Sequence, residues 1–321
     1  MDRVAVFEVL NPGILTTVQD LGRFGFSRAG VPPSGALDPF SLRVGNLLVG
    51  NREGEAGLET TIMGLKLRAL REVVIAITGG DLSPALNDDP LEIWRSHLLV
   101  EGDALTFKKV RKGCRAYLAI GGGISVPEIM GSKSTSLSGK FGGLEGRALK
   151  KGDTLCMADL PIRLDQVGIR FPADWVPIID REVTLRVIPG PQDHHFTGPG
   201  FETFQSSFYQ VTAKSDRMGI RLEGPRIERR PDAEESIISE SLIPGAIQVP
   251  GDGKPIIILN ELVTGGYTKI ATLLSTDLPK VAQLKPGDRV RFEPVPVEKA
   301  HQILWEQEER LTSFKESLRQ R

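Results

Sequence analysis

Two stretches of the 321-residue chain gather polar groups on glycine and proline turns, the setting from which side chains reach a ligand. The first is Gly30-Val31-Pro32-Pro33-Ser34-Gly35-Ala36-Leu37-Asp38, which leads straight into a helix start. Amides at a helix N-terminus suit a phosphate or carboxylate, and Arg28 adds a bidentate donor. Helix capping by Ser34 and Asp38 explains the same residues, so both readings stand. The second stretch is discontinuous: Lys214 to Gly224 with Asp216 and Arg217, Gly245 to Pro250 with Gln248, and Thr264 to Lys269 with Tyr267. Gln248 lies in an apolar, strand-like run, where an amide is costly unless bonded. It either reads a substrate amide or satisfies a buried backbone group. Lys269 follows a glycine turn and is either solvated or placed to stabilise the oxyanion that develops at an amide carbonyl.

Other motifs lack the spacing their chemistry needs. Gly131-Ser132-Lys133-Ser134-Thr135 has neither the Gly-Lys-Ser/Thr order nor the earlier glycine of a phosphate-binding loop, and reads as a flexible hydroxyl-rich turn. Gly121-Gly122-Gly123 fails the dinucleotide fingerprint. His194-His195 has no carboxylate or histidine at ligand spacing, so no metal site is expected. Neither GxSxG nor a catalytic-cysteine context occurs.

The elements that must position these residues are mostly short strands. Glycine and proline, 35 and 22 of 321 residues, disfavour a helical bundle. Runs over 4–10, 73–78, 115–120, 184–188, 209–213, 255–260 and 289–292 are β-branched and closed by turn residues, which predicts a mainly β fold with a few helices. One helix is expected over 39–49, with Asp38 as N-cap, Pro39 at its first position and Gly50 as its stop. A second is expected over 297–321, where apolar residues recur at helical spacing among charges.

An internal repeat organises the chain. Leu58-Glu59, Gly64, Thr78-Gly79-Gly80, Gly102-Asp103 and Phe107 recur in order as Ser239-Glu240, Gly245, Thr264-Gly265-Gly266, Gly287-Asp288 and Phe292. The Gly152-Asp153 turn echoes the pattern once more. This predicts a first lobe over 1–180, carrying the GVPPSG insertion and an extra 108–157 segment, then a second lobe over 181–296 and the terminal helix. Forty Lys+Arg against 41 Asp+Glu leave a net charge of -1, so no field draws the chain to nucleic acid or a membrane. Two cysteines outside any CxxC and an amino terminus without a signal-peptide core point to the cytoplasm.

TVQDLGRFGFSRAGVPPSGALDPFSLRVGNLLVGN, RAYLAIGGGISVPEIMGSKST, SDRMGIRLEG, IPGAIQVPGDGKPIIIL and TGGYTKIATLLSTDLPKVAQLKPGD together resemble the biotin-dependent carboxyltransferase family, also called allophanate hydrolase subunit two. The resemblance runs from about Phe7 to Phe292. It implies two related cyclophilin-like β-barrel lobes. It also implies an obligate KipI-like B subunit and, in bacterial 5-oxoprolinase, a further A subunit, which together open 5-oxoproline to glutamate with ATP and Mg at the level of the complex. Carried over as site positions are Arg28, Ser34 and Asp38, then Asp216, Arg217, Gln248, Tyr267 and Lys269, with Lys269, Asp216 and Arg217 expected to be catalytic and the others to bind a small amide substrate. Two further readings follow from the family: transfer of a carboxyl group from biotin to urea or another amide, and non-catalytic sequestration of a KipI-like inhibitor. No AMKM-like biotinyl-lysine motif occurs, so biotin would ride on a separate carrier.

Overall fold

A computed structural model describes residues 3–320. Two compact units divide the chain: one holds the residues up to Phe26 together with Pro33–Ile179, the other Ser27–Pro32 together with 180–320. Among the described residues four α-helices occur: α1 (Pro39–Leu48), α2 (Gly198–Ser206), α3 (Leu278–Ala282) and α4 (Val297–Arg319). All other regular structure is strand or 3-10 turn.

The first unit faces two antiparallel sheets across one core. The six-stranded sheet runs in the order Thr154–Ala158, Arg3–Pro12, Leu65–Ala69, Ala104–Phe107, Pro84–Leu86, Asp89–Pro90. The five-stranded sheet runs Leu15–Gln19, Gly57–Thr61, Lys112–Ile120, Val73–Asp81, Arg95–Leu99. Alternation sets which side faces inward: Leu65, Leu67 and Ala69 are buried, whereas Lys66 and Arg68 between them are exposed. Phe7, Leu67 and Phe107 from one sheet meet Leu58, Ile75 and Leu118 from the other in a single apolar cluster. Helix α1 begins where expected. The Asp38 carboxylate accepts from the Ser41 amide at 2.8 Å and from its hydroxyl at 2.6 Å, Pro39 occupies the first turn, and Gly50 takes a φ of +75° just past the end.

In the second unit the strands close into a seven-stranded barrel: Glu182–Pro189, Thr268–Leu273, Ala246–Val249, Ile256–Ile258, Gly219–Glu223, Tyr209–Val211, Arg289–Pro294. The last strand returns parallel to the first, Leu185 opposite Phe292, which leaves no open edge. Phe204 of α2 stacks on Phe292 with ring centroids 4.4 Å apart, sealing one side of the barrel. Helix α4 buries only Leu311 and Phe314, and Trp305 on it is 70% exposed.

The repeat survives most clearly in its turns. Gly102, Gly152 and Gly287 have φ of +92°, +89° and +92°, and the aspartate after each accepts the amide of the residue three before it, at 2.8, 2.7 and 3.1 Å. Each turn also makes the same reciprocal backbone pair with a neighbouring strand, through Ala69, Val9 and Val211 respectively. The two Thr-Gly-Gly segments, by contrast, occupy different places. Thr78–Gly80 is buried inside a nine-residue strand, whereas Thr264–Gly265 forms a two-stranded ribbon with Glu240–Ser241. The strand preceding it has already ended at Ile258, so the second copy reaches its glycines only after a loop.

Candidate functional site

Lys269 and Gln248 are cross-strand partners, so their side chains leave the same face of the barrel wall. The ladder between their strands skips Ile270, an extra residue whose carbonyl instead accepts from the Gly190 amide at 2.9 Å. Such a bulge re-aims the adjoining side chains. Gly190 is required there, because a Cβ would sit 2.3 Å from the Lys269 carbonyl oxygen. Two residues on, the Gln192 side chain accepts from the Lys269 amide at 3.1 Å and its NH2 donates to Glu240 at 2.6 Å.

Glu240 in turn lies 2.6 Å from the Lys269 ammonium. Side-chain exposure is lopsided, 6% for Lys269 and 44% for Glu240, so a buried cation is held by a carboxylate that faces solvent. An ammonium carries three donors and Glu240 takes one of them, which leaves donors for a ligand. Lys269, and the hydrogen bond from Gln192, hold the Glu240 carboxyl below the usual glutamate range. Gln248 donates to the Tyr267 carbonyl at 3.3 Å and packs on Gly265, where a Cβ would lie 2.6 Å from its nitrogen. The Tyr267 ring itself is 43% exposed.

Each of the other positions named from the sequence has its own local setting. Asp216 caps a turn, accepting from the Met218 and Gly219 amides at 2.8 and 3.1 Å. Arg217 is buried and paired with buried Glu261 at 3.7 Å. Arg28 is exposed on the 3-10 turn Ser27–Ala29, and Ser34 is buried at a positive φ of +53°. Asp38 belongs to a buried network in which its amide donates to the Tyr117 hydroxyl oxygen at 2.8 Å, while that hydroxyl donates to Glu59 at 2.7 Å. Burial, then the charges of Glu59 and Asp38, push the Tyr117 hydroxyl well above its ordinary pKa, so it stays a donor.

Gln192 and Glu240 carried no signal as site residues in the sequence, although Gln192 follows a Gly-Pro pair on a loop next to the histidines and Glu240 sits in the repeat. The turn read as flexible is also more ordered than expected. Asp20 accepts from the Ser132 hydroxyl and the Lys133 amide, each at 2.6 Å, and from the Gly22 amide at 2.7 Å. Beside it Arg23, only 2% exposed, donates to the Ser134 carbonyl and lies 4.8 Å from the Phe141 ring centroid. Among the described residues no group of three or more His, Cys, Asp or Glu converges as a metal shell, and no helix is long and apolar enough to cross a membrane.

Known proteins share this architecture. The chain is 38% identical to the C subunit of 5-oxoprolinase from Escherichia coli K12 over 297 residues, covering 92% of this chain and 93% of that one. It is 39% identical to urea amidolyase of Lachancea kluyveri over 315 residues, covering 92% of this chain but 17% of that much longer protein. The solved structure of K. lactis urea amidolyase superposes with a TM-score of 0.91 at 36% identity, over 98% of this chain and 20% of that one. Residues 29–294 match the family described as carboxyltransferase domain, subdomain A and B. The chain therefore belongs to the carboxyltransferase-domain family.

Proposed function

We propose that this chain acts as the C subunit of an ATP-dependent 5-oxoprolinase, opening a small cyclic amide to L-glutamate together with a KipI-like B subunit and an A subunit in the cytoplasm. The observation that carries this reading is the buried Lys269 ammonium beside the Gln248 amide, with near full-length similarity to a protein named as the C subunit of 5-oxoprolinase in its support. As the ring carbonyl carbon becomes tetrahedral its oxygen gains negative charge. A preplaced ammonium opposes that charge, an effect worth about 3–4 kcal/mol in a water-poor site. Glu240 and Gln192 fix where the ammonium points, and Gln248 orients the ring amide.

ATP is assigned to the complex and not to the Ser132–Thr135 turn. The Lys133 amide that a phosphate would need there is spent on the Asp20 carboxylate, and that carboxylate repels a second anion. Reconstitution with the A and B subunits and assay of glutamate release from 5-oxoproline with ATP tests the proposal. Omitting this chain is expected to abolish release, and undiminished release without it would refute the assignment.

Similarity to urea amidolyase favours one alternative, transfer of a carboxyl group from a biotinylated carrier to urea or another amide. In that case the purified chain consumes no 5-oxoproline with any partner, and supports bicarbonate-dependent carboxylation of urea when a biotin carrier and its carboxylase are supplied.

A further inference from the structure

We propose that a cleft in the second unit, between residues 226–235 and the Pro250–Gly253 turn, binds a small oxyanion, phosphate or carboxylate, through Arg226 and Arg229. The cleft encloses about 660 Å³. Three arginines line it, and two of them form no ion pair within 4 Å among the described residues. Arg230 is engaged by Asp232 through two contacts of 3.1 and 3.2 Å. Arg226 reaches only the Gly251 carbonyl, at 3.2 Å, and Arg229 only the Val249 carbonyl.

Arg229 is half-buried, and its Nε is fully shielded from solvent without a hydrogen-bond partner. The Arg229 guanidinium commits one nitrogen to a backbone carbonyl, and the fork geometry of an arginine matches a carboxylate or phosphate edge. Burial, the largest influence, lowers its pKa, against the raising charges of Glu235 and Asp252.

The acidic residues on the lining do not cancel this. Glu228 accepts from the Thr197 hydroxyl at 3.1 Å. Glu235 is exposed and stands over Gly251, whose Cβ would lie 2.8 Å from its carboxylate, but it forms no ion pair with either arginine. It is the competitor that an incoming anion must displace, which gives the site a signature of opposite sign on its two walls.

Calorimetric titration of the full-length chain at low ionic strength tests this with two ligands in separate arms, inorganic phosphate and acetate. Binding of phosphate alone identifies a phosphoryl site, and binding of acetate alone identifies a carboxylate site. Arg226→Ala, an exposed position, is expected to weaken the bound ligand about tenfold, and Glu235→Gln, also exposed, to tighten it about threefold. Heat from neither ligand, or affinity unmoved by both substitutions, overturns the proposal. The readout is binding to the chain alone, so it does not depend on turnover by a 5-oxoprolinase complex.

Discussion

The Asp20 cluster of the first unit and the Lys269 cluster of the second each bury a charge, but they treat it differently. Asp20 receives three hydroxyl or amide donors from the Ser132–Ser134 turn and another from Gly22, so its carboxylate is satisfied from within. Lys269 is held by one mostly exposed glutamate and a loop glutamine, and keeps donors to spare. A charge with every partner already in place is scaffold, because a ligand would have to displace a bond to reach it. A charge with unfilled valence inside a protein is where chemistry can begin.

Substitutions break that comparison in order of expected size. Asp20→Ala strands several buried donors at once and is expected to cost about 3–5 kcal/mol of stability, read as a lowered midpoint in urea unfolding of the purified chain. A loss below about 1 kcal/mol would move Asp20 out of the scaffold. Lys269→Met, similar in volume, is expected to lower kcat of the reconstituted complex about 10²- to 10³-fold while leaving assembly and thermal stability nearly unchanged. An unfolded variant, or one with full activity, would make the two clusters alike.

The smallest effect concerns Glu240. Its carboxyl is depressed by Lys269, so the pair contributes above the ordinary glutamate range near pH 4.5 and is lost as pH falls through the lowered value. NMR titration of the Glu240 side chain is expected to show a midpoint below 4.5 that rises toward it in Lys269→Met. An unchanged midpoint would mean that the two groups are not coupled.

Much of the frame was legible along the chain. The α1 start follows from Asp38 and Pro39, α4 from its period, and the strands from β-branched runs between turn residues, because each of these signals is local. The same locality explains the Gly-Asp turns, whose aspartate accepts the amide three residues back. The group around Lys269 was half legible. Gln248 and Lys269 stood out as polar groups in apolar surroundings, but Gln192 reaches Lys269 across 77 residues and Glu240 across 48, and no spacing rule spans such distances. Asp38 was ambiguous for a physical reason: a residue that caps a helix and one that prepares an anion site have the same sequence signature. The Thr-Gly-Gly match misled because three residues can be shared without sharing a strand.

The bonds from Asp20 to Ser132 and Ser134 close loops of 112 and 114 residues. During synthesis at ordinary rates of about 5–20 residues per second, Asp20 leaves the ribosome roughly 6–22 s before those partners exist. The preceding strand, Leu15–Gln19, waits as well for the Lys112–Ile120 strand, which joins Gly57–Thr61 to the rest of the sheet. The amino-terminal half therefore spends seconds as an incomplete sheet with exposed edges, a window in which pairing with other chains competes with completion of the unit.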